Sequence, residues 1–142
     1  MRALLDVNVL LALFDPGHVH YQRAHAWWHE QKDSGWASCA ITQNGFLRVV
    51  SQPTYSTPVL LTEAFELLQR AVATEYHEFW LDDISLGDTD RFHHDRILGP
   101  RQLTDLYLLG LAVKKGGRLA TFDGSVNLAA VSGAGKRHLA VL

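Results

Sequence analysis

The chain has 142 residues, 47% of them hydrophobic and 20% charged, a length and composition that suit one soluble globular domain over residues 1–142 with a core of its own. Lys+Arg 13 against Asp+Glu 15 leaves a net charge of −2, which excludes a global positive field, so any nucleic-acid partner must be held by local basic residues or through metal. The single cysteine, Cys39, excludes an internal disulfide and a cysteine-based zinc site; with no apolar run near the roughly 20 residues of a membrane span, a cytoplasmic protein without a membrane segment is expected.

Arg2-Ala3-Leu4-Leu5 is a short apolar run suited to a buried strand of a parallel sheet, and Asp6 ends it. Val7 to Phe14 reads as a packed helix stopped by Asp15-Pro16-Gly17. His20 to Lys32 is amphipathic, with Tyr21, Ala24, Trp27 and Trp28 on one side. His18, His20, His25 and His29 include pairs spaced for metal on a helix, but no acid or cysteine lies near to complete a site, and a solvated face is the simpler reading. Gly35 to Cys39 reads as a second strand, and Thr42 is expected to cap a helix running to Val50. Pro53 and Pro58 bracket a loop, after which Thr62 is expected to cap a helix from Glu63 to Ala73.

His77 to Leu81 is the third strand, followed by Asp82-Asp83, and the charged, histidine-containing stretch from Asp88 to Ile97 is expected to form a short exposed helix. Leu103 to Lys115 is the most apolar helix, expected to be buried and closed by Gly116-Gly117. Arg118 to Phe122 is a fourth strand closed by another acid, Asp123, and His138 to Leu142 makes a terminal strand. This alternation predicts an α/β fold: a central parallel sheet flanked by helices and joined by right-handed crossovers. Trp27, Trp28, Trp36 and Trp80 are read as packing residues or, where exposed, as anchors for a partner helix.

Asp6 alone reads as a helix N-cap, and Asp105 alone as an ordinary helix-start acid. Topology links them. In a βαβ unit the helix from Leu103 begins at the carboxyl edge of the sheet, where Asp6 and Asp123 end their strands. If those strands are neighbours, mutual repulsion raises some of the pKa values unless a cation intervenes. Oxygen ligands suit Mg²⁺ or Mn²⁺ rather than Zn²⁺, and such an ion favours hydrolysis of a nucleic-acid phosphodiester. Asn8 and Thr104 either orient water and acids or cap locally. Arg48, and after it Arg96 and Arg101, either hold flanking phosphates or make surface salt bridges.

Asp6 within Leu4-Leu5-Asp6-Val7-Asn8-Val9-Leu10-Leu11-Ala12, the run Gly45-Phe46-Leu47-Arg48-Val49, the run Leu103-Thr104-Asp105-Leu106-Tyr107-Leu108-Leu109 and Leu119-Ala120-Thr121-Phe122-Asp123 resemble, in order and spacing, the PIN-domain ribonuclease toxins of the VapC type. The resemblance implies a PIN-like fold and a Mg²⁺- or Mn²⁺-dependent endoribonuclease acting on structured RNA such as transfer RNA. It also implies a VapB-like antitoxin that blocks the site and a toxin that dimerises. By match to the motif, Asp6 and Asp105 are the metal ligands and Asp123 the further acid. Many PIN domains carry a glutamate in the helix after the second strand; here that position falls at Gly45, beside Gln43 and Asn44, of which Asn44 offers a neutral oxygen. That departure keeps open an alternative, a PIN-like module that binds a partner protein or RNA without cleaving. A phosphatase-like or receiver-like domain is disfavoured, because Asp6-Val7-Asn8 lacks a second acid and no lysine ends a strand.

Overall fold

The computed structural model describes residues 1–142. Five strands, β1 (Ala3–Leu5), β2 (Trp36–Ser38), β3 (His77–Phe79), β4 (Arg118–Thr121) and β5 (Leu139–Val141), form one sheet in the order β3-β2-β1-β4-β5. Every pairing is parallel. The helices are α1 (Val7–Phe14), α2 (Tyr21–Gln31), α3 (Ala40–Val50), α4 (Leu61–Val72) and α5 (Leu103–Lys114). No helix is long and apolar enough to cross a membrane.

Alternation along the strands sorts the core into two layers. Leu4, Ala37 and Leu119 face α5, whose Leu106, Leu108, Leu109, Leu111 and Ala112 are buried against them with Trp80 and Phe92. Ala3, Leu5, Trp36 and Ala120 face the opposite way, onto Val9 and Leu10 of α1, Phe46 and Val50 of α3, and Ala64 and Leu68 of α4. Trp27 and Trp28 of α2 are half-buried on this second layer, and Trp28 meets Trp36 edge-on at 6.2 Å between ring centroids. The expected α/β architecture, with helices on both faces of a parallel sheet, is the observed one.

Three local expectations are corrected. Thr42 does not cap α3: the helix starts at Ala40 with Cys39 as N-cap, and Thr42 turns its hydroxyl back to accept from the Cys39 N–H at 3.0 Å. Thr62 lies inside the first turn of α4, which begins at Leu61 without a side-chain cap. Residues 88–97 form no helix beyond a single 3-10 turn at His94–Arg96. Phe92 is fully buried there and bridges Val131 in antiparallel fashion, a tertiary pairing that outcompetes local helix formation.

At Gly45, α3 packs tightly against Val7 of α1. A Cβ at this buried position would lie 2.5 Å from Val7 Cγ2. The space a glutamate would need is therefore filled by Val7, which gives a physical reason for glycine at this position. Gly45→Ala is expected to destabilise the fold by about 1–3 kcal/mol through overpacking, read as a lowered midpoint of urea unfolding with an unchanged slope.

Candidate active site at the carboxyl edge of the sheet

The strand order reverses between β1 and β4. In open α/β sheets the crevice beyond the carboxyl ends of such strands is where ligands bind. Leu5 pairs with Ala120, and the Asp6 N–H donates to the Ala120 carbonyl at 3.0 Å, so the two chains leave the sheet side by side.

Asp6 is buried and caps α1, accepting from the Val7 N–H at 2.7 Å. Its other oxygen accepts from the Thr121 hydroxyl at 3.2 Å. Thr121 Oγ1 in turn accepts from the Asp123 N–H at 3.1 Å and so ties the two acids into one network. Burial raises the Asp6 pKa above the usual carboxylate value, outweighing these hydrogen bonds, and the charge of Asp123 adds to the rise. Asp123 is exposed and its pKa is lowered, because the Ser125 hydroxyl and N–H donate to it at 2.6 and 2.8 Å.

Asp105 stands in the first turn of α5, half-buried. No hydrogen-bond donor or cation of the protein pairs with its carboxylate. Burial first, and then the charges of Asp6 and Asp123, push its pKa up to about 6. Sequence reasoning placed these acids on one edge, and the fold makes them feel one another.

A cleft of about 140 Å³ opens beside them, lined by Arg101, Gln102, Asp105, Asp123, Ser125 and Asn127. Asp6 is not part of this lining. A larger groove of about 380 Å³ runs between α1, α2 and α4, but its walls are mainly apolar and hold no carboxylate, so the acid chemistry belongs to the smaller cleft.

The expected three-acid ligand set is not drawn into a ready-made cage, since no three His, Cys, Asp or Glu side chains converge on one point. The reason is visible in the hydrogen bonds: Asp6 is turned to Val7 and Thr121, and Asp123 to Ser125. The donors nevertheless fit a hard divalent ion. Mg²⁺ is ordinarily held by one or two carboxylates with several waters retained, and Asp105 offers an unpaired carboxylate within a field of like charge.

Asn8, Asn44, Arg48 and Thr104 are exposed, and none of them lines the cleft. None of Arg48, Arg96 and Arg101 makes a salt bridge, contrary to the structural reading of these arginines; Arg96 donates to the Ala129 carbonyl. Sequence reasoning assigned no role to Thr121, Ser125 or Asn127. The Asp-Gly-Ser turn was a readable signal for Ser125, while Thr121 and Asn127 gain their positions from strand pairing and loop packing.

The chain belongs to the PIN-domain family, and within it to the VapC branch: residues 3–132 match the PIN domain. It is 56% identical over 142 residues to Ribonuclease VapC44 of Mycobacterium tuberculosis, covering all of both chains. It is 39% identical over 135 residues to Ribonuclease VapC39 of the same organism, covering 94% of this chain and 96% of the relative. Two crystal structures share the fold. Mycobacterium tuberculosis VapC20, described as a Sarcin-Ricin loop cleaving toxin, aligns with a TM-score of 0.62 at 14% identity over 91% of this chain and 95% of its own. VapBC2 from Rickettsia felis, bound to a DNA fragment from its promoter, aligns with a TM-score of 0.56 at 15% identity over 88% and 90%.

The folded-state pKa of Asp105, about 6, lies above the ordinary 3.8, so the metal-free folded state binds more protons than the unfolded state between those values. Stability conferred by protonation is therefore present at low pH and lost as pH rises through about 6. Asp105→Asn is expected to stabilise the metal-free protein above that pH by on the order of 1 kcal/mol, discounted for the half-exposed site. Thermal melts of both proteins across pH 4 to 8 check this, with the gap narrowing toward the acid end.

Proposed function

We propose that the chain is the toxin of a toxin–antitoxin pair, a single PIN-like domain over residues 1–142 that acts as an endoribonuclease and hydrolyses RNA phosphodiester bonds with Mg²⁺ or Mn²⁺. The observation that carries this reading is the unpaired, charge-crowded Asp105 beside Asp6 and Asp123 at the topological switch point. It occurs in a chain 56% identical to a named ribonuclease along its whole length.

In this reading Asp6 and Asp105 hold the ion and Asp123 completes the site. The bound ion supplies Lewis acidity toward the phosphodiester and the attacking water. Thr121 fixes the carboxylate of Asp6, and Ser125 keeps Asp123 ionised. Arg101, on the wall of the cleft and free of any ion pair, neutralises a flanking phosphate. Asn8, Asn44, Arg48 and Thr104 are exposed and serve as outer contacts to RNA. The substrate class is structured RNA such as transfer RNA. A VapB-like antitoxin covers the site, the toxin pairs with a second copy, and the reduced Cys39 thiol suits the cytoplasm; the fold shared with VapBC2 supports the antitoxin.

A second reading, a PIN-like module that binds without cleaving, draws on Gly45 packed against Val7 and on acids that do not close into a cage. One experiment separates the two. Partner-free protein is incubated with total cellular RNA in Mg²⁺ or Mn²⁺, beside an EDTA control, Asp6→Asn and Asp105→Asn. Discrete fragments are expected only with metal, and each variant should lose on the order of 100-fold in rate or more, as for loss of a preorganised electrostatic group. Wild-type cleavage by either folded variant would refute the site assignment, and no metal-dependent cleavage by folded wild type would favour the binding module.

A further inference from the structure

The histidines near the start of α2 are not a plain solvated face. The His20 ring lies 4.6 Å from the Phe122 ring, and the His18 ring stacks over the same residue at 6.4 Å and an interplanar angle of 18°. The His20 backbone N–H donates to His18 Nδ1 at 3.0 Å, which orients the His18 ring against the main chain at His20. The Arg23 guanidinium sits 5.5 Å from the Phe122 centroid and donates to the Leu142 carbonyl oxygen. Val19, between them in sequence, is 86% exposed. His18, His20 and Phe122 are only partly covered, and Arg23 is exposed, with the Leu142 oxygen as its hydrogen-bond partner and no Asp or Glu paired with it.

Phe122 directly precedes Asp123, so this cluster stands at the same carboxyl edge as the acids, on the α1 side of the sheet. With a net charge of −2 and three mutually repelling carboxylates, the edge needs a local means of holding RNA. Partly exposed rings with one guanidinium are the means by which proteins hold unpaired nucleotides: bases stack on the rings and the cation meets the backbone.

We propose that His18, His20, Phe122 and Arg23 form the stacking platform for an unpaired base next to the scissile phosphate. The proposal takes its ligand from the ribonuclease reading above. The rings receive the base, and Arg23 receives its phosphate. A fully paired helix keeps its bases stacked within the duplex and gains nothing from the platform.

The test uses the full chain carrying Asp105→Asn, so that RNA survives binding in Mg²⁺. The probes are a single-stranded RNA containing 2-aminopurine and a blunt duplex of the same sequence. Phe122→Leu and His20→Leu should each weaken single-strand binding about tenfold and relieve the stacking quench, whereas His20→Phe should keep both. Arg23→Gln should weaken binding and lower the salt slope by about 1, with circular dichroism confirming that the loss of its contacts to Phe122 and Leu142 leaves the fold intact. Duplex binding should be unchanged by Phe122→Leu. In the cleaving chain the same substitutions should raise KM and leave kcat alone.

Wild-type affinity and quench in Phe122→Leu and His20→Leu would overturn the platform, as would equal losses on duplex and single strand. Platform-dependent binding by a chain that does not cleave would overturn the nuclease reading alone. Cleavage indifferent to these substitutions would overturn the platform alone, as would a folded chain that binds neither probe yet still cleaves cellular RNA.

Discussion

The pairing of β1 with β4 is the constraint on which the rest depends. These strands are far apart in sequence and adjacent in the sheet, and their register sets Leu5 opposite Ala120. A slip of one residue would turn Thr121 away from Asp6 and Leu119 away from α5, because side chains alternate faces along a strand. Core packing and site geometry are thus specified by the same hydrogen bonds. The leucines of α5 and β4 each contribute roughly 1.5–3 kcal/mol on burial, enough to hold together an edge where like charges repel.

Three aspartates in one field end up in three different states. Asp123 is exposed and doubly hydrogen-bonded to Ser125, so it ionises readily. Asp6 is buried and tethered at both oxygens, so its position is fixed although burial opposes its charge. Asp105 is half-buried and has no protein partner, so it bears the least compensated charge. A residue in that condition within a cleft is a candidate for work on a ligand, because nothing in the protein itself satisfies it.

Gly45 shows how packing limits chemistry. At Gly45, where the resemblance to PIN domains predicts a further acid, α3 lies against Val7 with no room for a Cβ. Helix contact there takes the place of negative charge, and the acids at this edge are Asp6 after β1, Asp123 after β4 and Asp105 in α5. The opposite flank of the same edge carries rings and a guanidinium, with Asp15 close to His18, so a carboxylate cleft and an aromatic cluster share the edge.

Alternating strands and helices, the acids that end β1 and β4, and the buried character of α5 were all legible in the sequence, because each is written in a local run of apolar spacing broken by an acid, glycine or proline. Residues 88–97 misled for the same reason: their charge pattern looked like an exposed helix, while Phe92 was destined for a bridge to the distant Val131. Thr42 carried a capping side chain but used it from inside the helix, a choice made where the end of β2 meets α3. The strand order, the Thr121 link between Asp6 and Asp123, and the stacking of His18 and His20 on Phe122 were decided only by the tertiary structure. Local propensity acts over a few residues, whereas these contacts join segments whose proximity comes from closing long loops around a shared core, information that no single stretch of the chain contains.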